Sequence, residues 1–359
     1  LGWKNAVIIG GASMDVSPTT YKADYIRIAF DTRNGKYSSY TQPDSVLTNY
    51  QNNINNYAGF ANFEFTPFKK LRVVTSLRYD VFSYDFDNFL KPSSFSGSPD
   101  TVNYFQAVSP KLGFTYNFSA RTGLYANYSQ GFVPPQVTEM YRGVKVPDIQ
   151  PSTFYNYEIG GWAEIIKNKL SGDISIYQLD GTNEIVSVRL DDGSTENRNT
   201  GKTQHKGIEI GINANPAKDI SFRFSGAYSE HRFTEFVEKG LNYSGKQMNG
   251  APAWIHNAEI WYKPSYAKGL RLGAEWQRVG SYFVDPQNSA RYEGFHALHL
   301  RAGYNWNGAE IWLNVMNATN NYYAFIASKS SSGYSYTPAE PRNFTVGISY
   351  DFGKLLKTK

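Results

Sequence analysis

Cysteine is absent from this 359-residue chain, which excludes disulfides and thiolate metal sites. No stretch approaches the roughly 18 consecutive apolar residues of a transmembrane helix, and mean hydropathy is −0.49. Helical membrane spans are therefore excluded. Lys and Arg number 36 against 31 acidic residues, a net charge of +5, with no basic block dense enough to follow a nucleic-acid backbone. Histidine is scarce: His205, His231, His256, His296 and His299 are the full set. His296 and His299 are three apart, so on a strand they fall on opposite faces and cannot chelate one ion as a local pair. HExxH, GxSxG, P-loop and EF-hand spacings are all missing. The acidic "LDDGSTEN" (190–197) lacks calcium-loop spacing and reads as a solvated loop tip. Neither an enzyme nor a bound cofactor is expected. The opening "LGWKNAVIIGG" has no basic start or long apolar core of the kind a signal peptide needs; it resembles a strand.

Aromatic residues, by contrast, are abundant. The chain has 28 Tyr, 23 Phe and 7 Trp, or 16% of its length, a profile suited to strands and membrane interfaces. In "FTVGISYDF" (344–352), Phe344, Val346, Ile348, Tyr350 and Phe352 alternate with small or polar residues. The same period of two recurs at Ile208/Ile210/Ile212, Phe222/Phe224/Tyr228, Leu298/Leu300/Tyr304, Phe114/Tyr116/Phe118 and Leu77/Tyr79/Val81. About 14 strands of roughly 10–15 residues follow, long enough for the 9–11 tilted residues that cross a bilayer. Their connections alternate between short turns (66–70, 117–123, 165–170, 215–219, 263–269, 306–310) and long loops (near 14–52, 87–104, 131–151, 181–204, 232–251, 281–293, 318–340). Short turns at one end and long loops at the other characterise an outer-membrane barrel. Inward parity collects Glu64, Arg78, Asp80, Lys111, Glu158, Asp173, Glu209, Arg223, Glu259, Glu275, His299, Arg301 and Asp351. Charges of both signs on so many strands cannot fill a dry core, so the expected fold is all-β: a transmembrane, antiparallel, up-and-down barrel around a polar lumen.

Several stretches resemble the barrel of TonB-dependent outer-membrane transporters. They are "LRVVTSLRYDVF" (71–82), "VSPKLGFTYNFSARTGLYANYSQGFVPPQVTEMY" (108–141), "IQPSTFYNYEIGGWAEI" (149–165), "NTGKTQHKGIEIGINANP" (199–216), "LNVMNATNNYY" (313–323) and "PRNFTVGISYDF" (341–352). The resemblance runs through the chain in order. It implies a barrel of the about-22-strand class with a plugged lumen, of which residues 1–352 would supply roughly the last 14 strands. The plug, the energy-coupling box and the first strands would then lie in a longer protein. Residues 353–359 form a tail beyond the terminal aromatic; closure of the 14 strands as a smaller barrel is the alternative.

The resemblance further implies a multi-pass receptor in a Gram-negative outer membrane, in contact with lipid and lipopolysaccharide. It would import a ferric siderophore or similar iron chelate, with energy from the TonB complex. Rings flanking the chelate and Arg neutralising its oxygens make Tyr84, Tyr141, Arg142, Arg291, His299 and Arg301 the ligand candidates. The bland reading is that the tyrosines pack loops and Arg301 pairs with Glu275 or Asp351. Arg78, Asp80, Lys111 and Glu158 are the candidates for contact with the plug. Cobalamin, haem, nickel-chelate or oligosaccharide import, a passive porin-like channel, and a surface adhesin or lectin-like β-protein stay open as alternatives.

Overall fold

The computed structural model describes residues 2–3, 5–41, 45–189, 195–330 and 332–352. Fourteen strands form one antiparallel sheet in which each pairs with the next in sequence. They are β1 (Ala6–Asp24), β2 (Val46–Phe68), β3 (Leu71–Asn88), β4 (Thr101–Ser119), β5 (Thr122–Val133), β6 (Ser152–Ile166) and β7 (Leu170–Arg189), then β8 (Thr195–Ala217), β9 (Ile220–Glu235), β10 (Trp254–Tyr262), β11 (Leu270–Val279), β12 (Phe295–Trp306), β13 (Ala309–Met316) and β14 (Asn343–Tyr350). Gly2–Trp3 adds a short pairing along β1. The sheet is open: β14 and β1 are not joined, so the alternative of a small closed barrel is not what forms. Phe344, Val346 and Ile348 on the terminal strand are 64%, 64% and 77% exposed.

Cross-strand register places twelve of the thirteen inward residues on a single face, and Asp351 lies one residue past the end of β14. Arg223 opposes Glu259, Glu259 opposes Glu275, and Glu275 opposes His299. His296 opposes Arg278 on the other face, as the spacing requires. The inner wall also accommodates large rings beside glycines: a Cβ on Gly160 would lie 2.6 Å from the Tyr125 ring, and one on Gly207 would lie 2.5 Å from Tyr177.

Long and short connections alternate as expected, but two of the expected loops are strand. β1 continues to Asp24 and β2 begins at Val46, replacing much of the loop placed at 14–52. β7 and β8 reach Arg189 and Thr195, replacing most of the one at 181–204; residues 190–194, like the tail 353–359, lie outside the described residues. The cause is on the outer face. There β7 runs Ile174, Ile176, Gln178, Asp180 and β8 runs Ile210, Ile208, Lys206, Gln204, with Ile176 opposite Ile208 and Gln178 opposite Lys206. On β9 Tyr228 gives way to Glu230, on β2 Tyr57 to Asn55, and on β3 Val81 to Ser83. Beyond that line the outer face turns polar, so the outward apolar period stops; on β3 it moves to the inner face as Phe82, Tyr84 and Phe86. Six strands are 18–23 residues long, yet only about ten residues of each carry the apolar face, the length a bilayer crossing needs. Tyr57, Tyr79, Tyr157, Tyr228, Trp254 and Trp276 lie near the polar boundary with 37–49% of their surface exposed, as an interfacial aromatic girdle should.

Candidate functional site

Two clusters organise the long-loop end. In the first, Phe82, Tyr84 and Phe86 of β3 pack with Phe105 of β4, with Met140 and Tyr141 of a one-turn helix (α1, Val137–Tyr141), and with Ile149. The Tyr141 ring stacks on Phe86 with centroids 4.2 Å apart, and its hydroxyl donates to Asn103 Oδ1 at 2.9 Å. Burial pushes that phenol's pKa well up. Tyr84 donates its hydroxyl to the Pro135 carbonyl at 2.9 Å and meets Phe105 edge-on. These contacts clamp the loop 134–151 to the wall. Tyr84 and Tyr141 are 3% and 2% exposed, so their rings are committed to packing. Arg142, at the end of α1, is exposed.

The second cluster joins the loops 280–294 and 317–342 through Tyr282, Val284, Ala324 and Ala327. Tyr282 Oη accepts from the Ala327 amide at 3.1 Å, and Tyr292 Oη donates to the Ala324 carbonyl, also at 3.1 Å. Asp285 holds the Ser289 amide at 2.7 Å and faces Lys329 Nζ at 3.4 Å. Arg291 projects from this cluster, exposed, over the Phe283 ring at 5.1 Å, and donates to Ser281 Oγ at 2.7 Å. The two rim arginines thus stand on separately packed platforms.

The lumen wall below is a ladder of paired charges. Arg78 grips Asp80 with two 2.8 Å bonds, and Asn56 donates to the same carboxylate at 3.2 Å. Asp80 is 1% exposed, so pairing is what makes its burial tolerable. Arg301 ion-pairs with Glu275 and lies 3.9 Å from Glu259. His299, directly opposite Glu275, accepts the Asn317 amide on Nδ1 at 3.1 Å. Tyr125 donates to Glu158, with Asn127 at 3.5 Å from the same group. Arg301, Arg78, Asp80 and Glu158 therefore find partners within the wall. Lys111 is the exception: exposed, without an ion pair or hydrogen bond among the described residues, it lines a hollow of about 450 Å³ with Arg78 and Phe60.

The same condition holds for three residues that sequence reasoning put on the inner face without assigning a role. Asp173, Glu209 and Arg223 line an inner-wall hollow of about 360 Å³ and make no ion pair among the described residues. A fourth omission is the cross-strand pair His205–His231. Counting outward from the turn at 218–219 pairs His205 with Arg232, one residue off, because a register shift between Ala214 and Ala217 moves the partner to His231.

The antiparallel wall, girdle, two-signed inner face and packed rim define the wall of an outer-membrane barrel. Residues 3–320 match the family described as TonB dependent receptor-like, beta-barrel, and the chain belongs to that family. Its members are transport receptors of the Gram-negative outer membrane. The catecholate siderophore receptor Fiu of Escherichia coli strain UTI89 is 25% identical over 275 residues, covering 71% of this chain and 35% of that protein. The ferric-pyoverdine 358 receptor of Pseudomonas putida is 25% identical over 333 residues, covering 86% and 37%. The crystal structure of the siderophore receptor PiuA from Acinetobacter baumannii superposes with a TM-score of 0.77 at 17% identity, over 98% of this chain and 54% of that one. The chain thus spans about a third of the length of these curated relatives.

Proposed function

We propose that this chain is the wall and outer rim of a receptor that imports a ferric siderophore or similar iron chelate under TonB control. The carrying observation is the inner face: an open sheet with charges of both signs, most self-paired and a few left free, is built to enclose another polar protein part. Unpaired Lys111, Arg223, Asp173 and Glu209 supply the wall side of contacts to a plug, and the self-paired Arg78, Asp80 and Glu158 hold the surface those contacts meet. The printed substrates of the relatives, catecholate siderophore and ferric pyoverdine, support an anionic chelate. At the rim, exposed Arg142 and Arg291 meet such a ligand's anionic oxygens. Tyr84 and Tyr141 position the loop that carries Arg142, and His299 and Arg301 form the floor beneath Arg291.

The test is growth under iron limitation of a strain lacking the full-length gene, supplied with a panel of ferric chelates. Loss of growth on one chelate, restored by the gene but not by an Arg142→Ala/Arg291→Ala variant, is the expected result. Normal growth on every chelate would contradict iron import. Steady ion conduction by the purified full-length protein in planar bilayers would instead make it a passive channel.

A further inference from the structure

Two histidines on neighbouring strands turn the same ring atom towards each other. His205 of β8 and His231 of β9 are direct cross-strand partners, with Nδ1 to Nδ1 at 2.6 Å and ring planes inclined by 64°. Both are half-buried. They share inward parity with Glu209 and Ser229, while the outward residues around them are Gln204, Lys206, Glu230 and Arg232. The pair therefore faces the lumen above the apolar band, where solutes enter.

His205 is held from behind. Its Nε2 lies 3.2 Å from Thr203 Oγ1, and Thr203, only 2% exposed, donates its hydroxyl to the Glu184 carboxylate. A hydroxyl that gives its proton to a carboxylate is left to accept from the imidazole. Nε2 of His205 then carries the hydrogen and Nδ1 presents a lone pair, the arrangement by which outer partners prepare metal-ligating histidines.

We propose that His205 and His231 form a two-imidazole site for a borderline divalent cation, Cu²⁺ foremost, with Glu184 and Thr203 as positioning residues. Two nitrogens at about 2.0–2.1 Å from one ion stand about 2.9 Å apart at a right angle and about 3.3 Å apart in a tetrahedron. From 2.6 Å the rings must part by about 0.3 Å for the first arrangement and about 0.7 Å for the second. The smaller movement suits tetragonal coordination by nitrogen and oxygen, which Cu²⁺ and Ni²⁺ prefer, and Cu²⁺ binds most tightly of the series. No group of three or more potential ligands converges among the described residues. The other coordination positions therefore belong to water or to a chelator in the lumen, so the site takes a metal with exchangeable ligands.

The site is read on purified protein, so its test does not depend on the import assignment. Full-length receptor in detergent, stripped with EDTA, is titrated with Cu²⁺ by calorimetry and electron paramagnetic resonance. Heat-modifiable gel mobility establishes that each variant is folded. The expected result is one Cu²⁺ per chain with coupling to two imidazole nitrogens. His231→Gln should lower affinity at least tenfold and remove one nitrogen coupling. Glu184→Gln should weaken binding about 10-fold through the His205 tautomer, with both couplings kept. A His256→Gln/His296→Gln variant should bind as the parent does. Absence of Cu²⁺ binding, or equal affinity and spectra in the parent and a folded His205→Gln/His231→Gln variant, would overturn the proposal.

Discussion

Below Gln178, Lys206 and Glu230, the hairpins of β7–β9 have an apolar outer face and a polar inner one; above them the outer face is polar and the inner one mixed, with Phe233 buried two residues beyond His231. The ladder continues unbroken through Ile176/Ile208 into Gln178/Lys206, so backbone pairing does not distinguish the halves. What differs is the solvent each outer face meets. In lipid every backbone group must pair and the side chains must be apolar; above it the strands pair equally well and side-chain polarity is free. The upper half is where the wall holds two packed clusters and a histidine pair, so specific side-chain arrangements concentrate where the lipid constraint is lifted.

The largest contrast is expected within the upper half. Tyr141→Ala removes a fully packed ring and should cost about 3–5 kcal/mol of local stability, read as rapid protease cleavage in 134–151. Tyr141→Phe loses only the Asn103 bond, about 1 kcal/mol. If Tyr141→Ala left cleavage unchanged, the rim would not be a packed platform. Next comes the contrast between halves. Ile210→Arg, in the apolar band, should cost about 2–4 kcal/mol, whereas Gln204→Arg on the same face of the same strand should stay within about 0.5 kcal/mol. Denaturant titration of the receptor refolded in vesicles measures both, and equal effects would dissolve the boundary at Lys206.

A smaller effect is pH-dependent. Burial alone would raise the Asp285 carboxyl, but its bonds to Ser289 and the charge of Lys329 outweigh burial and hold it below the ordinary value. A depressed folded pKa gives stability that is complete above the unfolded value, about 3.9, and is lost as pH falls through the folded one. Hydrogen exchange across 280–294 and 317–342 should therefore speed up in that acid range, and Asp285→Asn should remove this dependence. The smallest change is expected at Lys202, whose 2.9 Å pair with Glu235 is exposed. Lys202→Ala should cost under about 1 kcal/mol by the same denaturant titration.

Legibility in the sequence followed the same line. The membrane half was readable because lipid forces alternation: Ile208, Ile210 and Ile212 announce a strand and its faces together. The upper continuations, such as Asn49–Asn55 of β2, have a polar outer face and only Tyr50 and Ile54 as apolar residues, so a period-of-two reading assigns them to loop. Parity puts Arg78, Asp80 and Glu158 on one face, as the register does, but says nothing of pairing, so the bidentate Arg78–Asp80 contact and the isolation of Lys111 are legible only in three dimensions. Tyr84 and Tyr141 were visible as rim aromatics; that their rings are spent on Pro135, Phe105 and Phe86 depends on how the loop 134–151 folds back. The His205–His231 contact depends on register across β8 and β9, which a search for local spacings along one strand does not test.

The most direct test of the central claim uses the absence of cysteine from these 359 residues, with any cysteine elsewhere in the full-length receptor replaced by serine. Single cysteines at positions 202–212 of the full-length receptor, spin-labelled in lipid vesicles, report access of oxygen from the lipid and of a nickel chelate from water. Lipid access is expected at 208, 210 and 212, water access at 207, 209 and 211, and water access at every position from 206 back to 202. Alternation that persists through 202, or water access on both faces at 207–212, would contradict that claim.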